Sequence, residues 1–127
     1  MNHMQYMRVY APVDLDAIVF NLESMRKNID RGTGMLGVIK ADAYGHGSVP
    51  VAAAIEDYVD GFAVATADEA MLLRRNGIHK MILILGVTHP SRYQELIENE
   101  IRPAIFTMAQ AKPLSEAAVN MKKTAKI

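Results

Sequence analysis

Hydrophobic residues gather in four short runs along the chain, Met35–Ala41, Gly61–Ala67, Met81–Gly86 and Ile101–Thr107, each rich in Val, Ile, Leu or Ala. Runs of this length without polar alternation predict strands buried on both faces. Their starts lie 20 to 26 residues apart, room for one strand, one helix and two short loops. The segments between them carry helical spacing. Asp16 is a candidate N-cap, and Ile18, Leu22, Met25 and Ile29 follow at intervals of four, three and four, a single apolar stripe that Gly32 and Gly34 would close. Pro50 suits the first turn of a second helix, where its missing N–H costs nothing. Thr66 or Ala67 leads into the acids Asp68 and Glu69 of a third, which Gly77 ends after Arg74 and Arg75. His89-Pro90-Ser91 opens a fourth helix reaching about Asn99, and a fifth begins near Met108 or Ala109 with Pro113 in its first turn or two. The resulting order, αβαβαβαβα, predicts a parallel sheet.

Composition narrows the function more than the fold. Half of the 127 residues are hydrophobic and 22% are charged, enough for a packed core in one domain or a piece of a larger one. Fourteen Lys and Arg balance fourteen Asp and Glu, so the broad basic field of a nucleic-acid or anionic-membrane binder is absent. Without cysteine there is no disulfide scaffold and no thiolate zinc site, a usage that suits a cytoplasmic protein. The longest strongly apolar run, Met81–Leu85, falls far short of the roughly 20 residues that cross a bilayer. His79 and His89 have no second ligand at metal spacing. Arg74, Arg75, Lys122 and Lys123 read as solvated helix positions, and Glu95, Glu98 and Glu100 as an exposed helix face.

The informative stretch is Val38-Ile39-Lys40-Ala41-Asp42-Ala43-Tyr44-Gly45-His46-Gly47. It puts a lysine at the C-terminal end of the first strand, followed by a compact glycine-containing turn. In parallel α/β folds ligands bind at that end of the sheet. A desolvated lysine amine there becomes a nucleophile toward a carbonyl. The small residues Ala41, Ala43, Gly45 and Gly47 let a ligand approach the backbone, and Tyr44 offers a hydroxyl donor. On these parts alone a second reading stays open: a solvated strand terminator whose stem lies along the sheet.

The same stretch resembles the pyridoxal-phosphate attachment signature of the alanine racemase family, Val-x-Lys-Ala-[Asp/Asn]-[Gly/Ala]-Tyr-Gly-His-Gly, at all nine specified positions. Val13-Asp14-Leu15-Asp16-Ala17, the run Gly61–Ala67 with Asp68-Glu69-Ala70, Leu73-Arg74, Gly77-Ile78 and Ile82–Gly86 are similar to further stretches of that family, from about Val9 to Ile127. The resemblance implies an α/β fold that is a partial (β/α)8 TIM-type barrel, about four βα units plus the start of a fifth strand at Thr124–Ile127. A closed barrel takes about 250 residues. Residues 1–8 are accordingly expected to be a flexible start or an expression remnant, and residues 9–127 the truncated N-terminal half of a pyridoxal-phosphate-binding barrel domain.

It further implies pyridoxal 5'-phosphate as cofactor and racemisation of L-alanine to D-alanine, an isomerase reaction that feeds peptidoglycan. Lys40 would be the Schiff-base lysine and serve one face of the substrate as acid and base. Tyr44 would hydrogen-bond the cofactor phosphate, and Val38 and Leu85 would wall the cofactor, with core packing the other reading of both. The family's second base, a tyrosine from the C-terminal domain of a partner subunit, has no counterpart in this sequence, so the chain alone is expected to be inactive. The expected partners are a small amino-acid substrate and further copies of the chain, because a half-barrel leaves two strand edges unprotected; no nucleic acid, membrane or metal is expected. Two alternatives of cofactor chemistry remain: a racemase of serine or another amino acid, and a non-catalytic pyridoxal-phosphate carrier. A third is a small α/β binding module in which Lys40 merely ends a strand.

Overall fold

The computed structural model describes residues 9–127; the expected flexible start, residues 1–8, lies outside the described residues. Helix α1 spans Leu15–Arg26. Its N-cap is Asp14 and not Asp16: the extended backbone of Asp14 lets its carboxylate accept the Ala17 N–H at 3.0 Å, while Asp16 lies in the first turn. The helix ends before Ile29, Gly32 and Gly34. Arg26 donates to the Thr33 carbonyl and the Asn28 amide to the Ser24 carbonyl, so side chains close this end where glycines were expected to do so.

Four parallel strands follow in sequential order, β1 (Leu36–Val38), β2 (Gly61–Val64), β3 (Met81–Ile84) and β4 (Ile101–Pro103). Between β1 and β2 come a five-residue turn of helix, α2 (Lys40–Tyr44), and α3 (Ser48–Ile55). Helix α4 (Ala67–Arg75) joins β2 to β3, a 3-10 turn and α5 (Tyr93–Glu98) join β3 to β4, and α6 (Met108–Asn120) closes the series. Pro50 and Pro113 sit where expected, in the first turn of α3 and inside α6.

One face of the sheet is packed against the helices. Phe62, Val64, Ile82, Ile84 and Ile101 are all but inaccessible there, against Val51, Ile55, Leu73, Leu96 and Leu114. Burying each large side chain contributes about 1.5–3 kcal/mol, so this layer holds the fold. The other face does not meet the expectation of burial on both sides. Register places Val38, Ala63, Leu83 and Arg102 in one row across it, and Leu36, Val38 and Leu85 remain 38%, 58% and 39% exposed. β2 alone is buried throughout, whereas β3, also flanked by two strands, alternates between half-buried and buried positions. Four strands curve only part-way round a barrel, which leaves the inward row without an opposite wall. At the β4 edge Ala104 donates back to Ile84, so Pro103 turns its donorless nitrogen outward, a device that blunts an open strand.

Opposite the lysine end, Arg74 departs from its expected solvated role. It is half-buried, and its guanidinium donates to four carbonyls: Asn99 at 2.9 Å, Ile78 and Lys80 at 2.7 Å each, and Glu100 at 3.3 Å. Burial pulls its pKa down from the ordinary value, opposed by Glu100 and Glu56. Glu95 also leaves the expected exposed face, since it is partly buried and accepts from Arg92 at 2.6 Å. Thr124–Ile127 forms no strand; Ala125 packs at the edge of the core and Lys126 pairs with Glu100. Among the described residues no helix is long and apolar enough to cross a membrane, and no group of three metal-ligating side chains occurs.

Candidate active site

The backbone turns left-handed immediately after the β1 ladder. Ala41, Asp42, Ala43 and Tyr44 all have φ between 50° and 53°, a full turn of left-handed helix without glycine. Each such residue costs roughly 1–2 kcal/mol because Cβ crowds the following carbonyl. A run of four persists only where surrounding contacts dictate it, and such strain collects at functional sites. Gly45 and Gly47, both at φ 88°, then carry the chain into α3.

Several hydrogen bonds impose this shape. Within the loop, Ala43 donates to the Ile39 carbonyl and Gly47 to that of Asp42, both at 3.0 Å, and the His46 ring bonds the Ala43 carbonyl. The Asp42 carboxylate accepts the Ser48 N–H at 2.7 Å, tying the turn to the start of α3. From outside the loop comes Glu69, in the first turn of α4. One carboxylate oxygen accepts the Ala41 N–H at 2.8 Å, and the other accepts Ala65 N–H at 2.6 Å and Thr66 N–H at 3.3 Å. Thr66 returns a bond to the Glu69 N–H, completing a capping box.

Lys40 opens the left-handed turn and Tyr44 ends it, so the amine and the phenol leave the same short loop at the C-terminal end of β1. Lys40 is partly buried and forms no ion pair among the described residues; Tyr44 is 73% exposed. Val38 lies two residues before Lys40 on the inward face, as strand alternation expected: a side chain on neighbouring Gly37 would instead strike Ile55 and Phe62 in the helix layer. Leu85 follows β3, two strands from β1 and therefore about 10 Å across the sheet, on the same face as Leu83 and Val38. The four residues do not share one pocket: Tyr44 stands against the start of α1, where it lines a cleft with Val13, Ala17 and Asn21. Val38 and Tyr44 line a cleft of about 410 Å³ with Ile18 and Leu22, whereas Lys40 and Leu85 lie outside its lining.

A primary amine without an ion-pair partner, a phenol four residues on and two apolar side chains have the chemistry that one side of a pyridoxal phosphate calls for, although the cleft lined by Val38 and Tyr44 does not take in Lys40 or Leu85. The amine suits its aldehyde, the phenol its phosphate and the aliphatic groups its ring. Sequence reasoning passed over Glu69 and Asp42. The capping-box spacing of Thr66 and Glu69 announces one end of that carboxylate, but nothing in the sequence announces its reach to Ala41, 28 positions away. Arg102 was also missed; it places a half-buried guanidinium on the inward row.

Comparison with known proteins gives a consistent picture. The profile of the family described as "Alanine racemase, N-terminal domain" matches residues 13–127. The chain is 42% identical over 123 residues to alanine racemase 2 of Oceanobacillus iheyensis, covering 96% of this chain and 31% of the relative. Its structure superposes on alanine racemase of Clostridium difficile 630, solved in complex with cycloserine, with a TM-score of 0.86 at 36% identity, covering 93% of this chain and 33% of that one. Histidine racemase of Leuconostoc mesenteroides is similar at a TM-score of 0.78 and 28% identity, covering 87% and 30%. The chain thus spans about a third of the length of the relatives it matches.

Proposed function

The chain belongs to the alanine racemase family, and from that premise we propose that it is the lysine-bearing part of a cytoplasmic, pyridoxal-phosphate-dependent enzyme that interconverts L- and D-alanine. The observation that carries this reading is Lys40, a partly buried residue set at the C-terminal end of β1 on a strained loop that ends in Tyr44.

In this reading Lys40 Nζ would hold the cofactor and, when free, would take or return a proton at the substrate α-carbon from its own side. Tyr44 Oη donates to the cofactor phosphate. Val38 and Leu85 exclude water from the ring's flank. Pyridoxal phosphate, when bound, supplies an electron-withdrawing ring system that stabilises negative charge at the α-carbon. A proton must also be delivered from the opposite side, and no residue described here is assigned to that task. Residues 9–127 are accordingly proposed as one half of a barrel domain, inactive without the remainder. A turnover assay on this polypeptide should give no racemisation; a rate like that of a whole racemase would overturn this part.

The test of the cofactor role is direct. Incubation with pyridoxal phosphate, borohydride reduction and peptide mass spectrometry should place the tag on Lys40 ahead of the exposed lysines, and Lys40→Ala should abolish it. Even tagging of all lysines would sink the proposal, leaving a scaffold in which Lys40 only ends a strand. A second reading, another amino acid as substrate, is favoured by the likeness to a histidine racemase.

The same proposal includes a homo-oligomer. Leu36, Val38 and Leu85 are exposed on the inward face, and β1 and β4 are open edges. Two such sheets packed with their inward faces together would cover these side chains and complete each other's cores. Light scattering should report a dimer; a monodisperse monomer at working concentration would contradict it.

A further inference from the structure

We propose that Glu69 is the positioning residue of the Lys40 site, and that it sets the direction of the lysine by gripping the peptide that follows it. This inference rests on the cofactor role of Lys40 proposed above. Its basis is geometric. The Lys40–Ala41 peptide is planar, so holding the Ala41 N–H also fixes the plane of the Lys40 carbonyl and the course of the backbone away from the Lys40 Cα. Glu69 Oε1 accepts that N–H at 2.8 Å.

The other oxygen anchors the grip to the sheet. Glu69 Oε2 accepts the N–H groups of Ala65 and Thr66, which directly follow β2, the strand paired with β1. One carboxylate thus ties the outgoing ends of two neighbouring strands through three backbone donors. Charge-assisted bonds of this kind are roughly twice as strong as neutral ones. The Thr66 capping box in turn holds Glu69, so the carboxylate is fixed before it reaches the loop. Ile39, directly before Lys40, donates to the Ala63 carbonyl of β2 at 3.0 Å and so ends the ladder on the sheet. The remaining bonds of the left-handed turn run within residues 39–48 and would survive if the loop beyond Ile39 swung away as a unit. Glu69 is the side-chain hold that refers the loop after Lys40 to the sheet, and with it the distance between the Lys40 amine and the apolar flank of Val38 and Leu85.

The test separates positioning from bulk stability. Amide hydrogen exchange at Ala41 and the ratio of borohydride-trapped cofactor on Lys40 to that on exposed Lys112 are measured in wild type, Glu69→Ala and Glu69→Gln, with urea midpoints alongside. In Glu69→Ala the Ala41 amide should exchange about tenfold faster and the Lys40 to Lys112 ratio should fall by about the same factor. Glu69→Gln keeps the shape but replaces one acceptor oxygen with a donor, and should fall in between. Should the alanine variant unfold, the near-isosteric glutamine variant carries the test. A Lys40 to Lys112 ratio unchanged in the folded variants would overturn the assignment, whatever happens to the urea midpoint. Equal tagging of Lys40 and Lys112 in wild type would instead overturn the cofactor reading, and the Ala41 exchange rate would still report whether Glu69 holds the loop.

Discussion

At the end of the sheet where the strands begin, a cation, Arg74, collects four backbone carbonyls from the turns before β3 and β4. At the end where the strands finish, an anion, Glu69, collects three backbone N–H groups from the turns after β1 and β2. Both lie on the nine-residue helix α4, the acid in its first turn and the base in its last, as the helix dipole favours. The difference lies in what each holds. Arg74 ties backbone that is unstrained apart from Glu100 at φ 51°, whereas Glu69 holds the first of four consecutive left-handed residues next to the candidate reactive amine. One helix therefore stabilises the barrel wall at one end and maintains strain at the other. Conserving stability at the foot and reactivity at the mouth is the division of labour expected of this architecture.

The largest expected effect lies at the Arg74 end. Arg74→Ala strips four carbonyls of their donor in a half-buried site and should cost about 2–3 kcal/mol, read as a lower urea midpoint. Arg74→Lys should recover less than half, because an ammonium cannot fork across four acceptors. If the two ends are independent, the Lys40 to Lys112 tagging ratio of the folded variant stays at the wild-type value. A drop in that ratio would join the ends and break the comparison.

The two ends also differ in how far the sequence disclosed them. The succession of strands and helices, the βα rhythm and the lysine at the end of β1 were legible because buried apolar runs and helical stripes are local signals. Caps written as neighbouring residues were legible too, such as Thr66 before Glu69 and His89 before Ser91. The inward exposure of Val38 and Leu85 was not, since each run is apolar whether or not a wall faces it. The ties made by Arg74 and Glu69 span 25 and 28 positions and leave no local trace. A left-handed turn spelled Ala-Asp-Ala-Tyr was hidden for a physical reason: these residues do not favour that conformation, and tertiary contacts impose it.

Strain at the mouth makes a prediction of opposite sign. Ala41 is exposed and held at φ 52°, so Ala41→Gly removes a Cβ that opposes the conformation. Relief of about 1–2 kcal/mol against an entropic cost of about 0.5–1 should leave a net gain of about 0.5–1 kcal/mol. The matching change in α4, Ala70→Gly at a fully buried helical position, should lose at least about 1 kcal/mol. Urea midpoints of the two variants moving in the same direction would show that residue 41 stores no strain.

The smallest effect concerns the foot of the sheet and its pH dependence. Lys126 donates to the Glu100 carboxylate at 3.0 Å, and both side chains are largely in solvent. That hydrogen bond is the main cause holding the Glu100 carboxyl below its ordinary 4.5, with the charge of Lys126 next, desolvation opposing, and the charges of Arg74 and Lys123 adding less. A carboxyl with a lowered folded pKa binds protons more readily in the unfolded chain. Its contribution is therefore complete above the ordinary carboxylate range and is lost as pH falls through the lowered value. An exposed pair contributes little and is screened by salt. Lys126→Ala should consequently lower the urea midpoint slightly at neutral pH and low salt, and the two chains should converge on acidification or in high salt. Because the Glu100 carbonyl is also one of the four that Arg74 holds, a difference that instead widened in acid would mean that the tail braces the Arg74 cluster by contacts other than this ion pair.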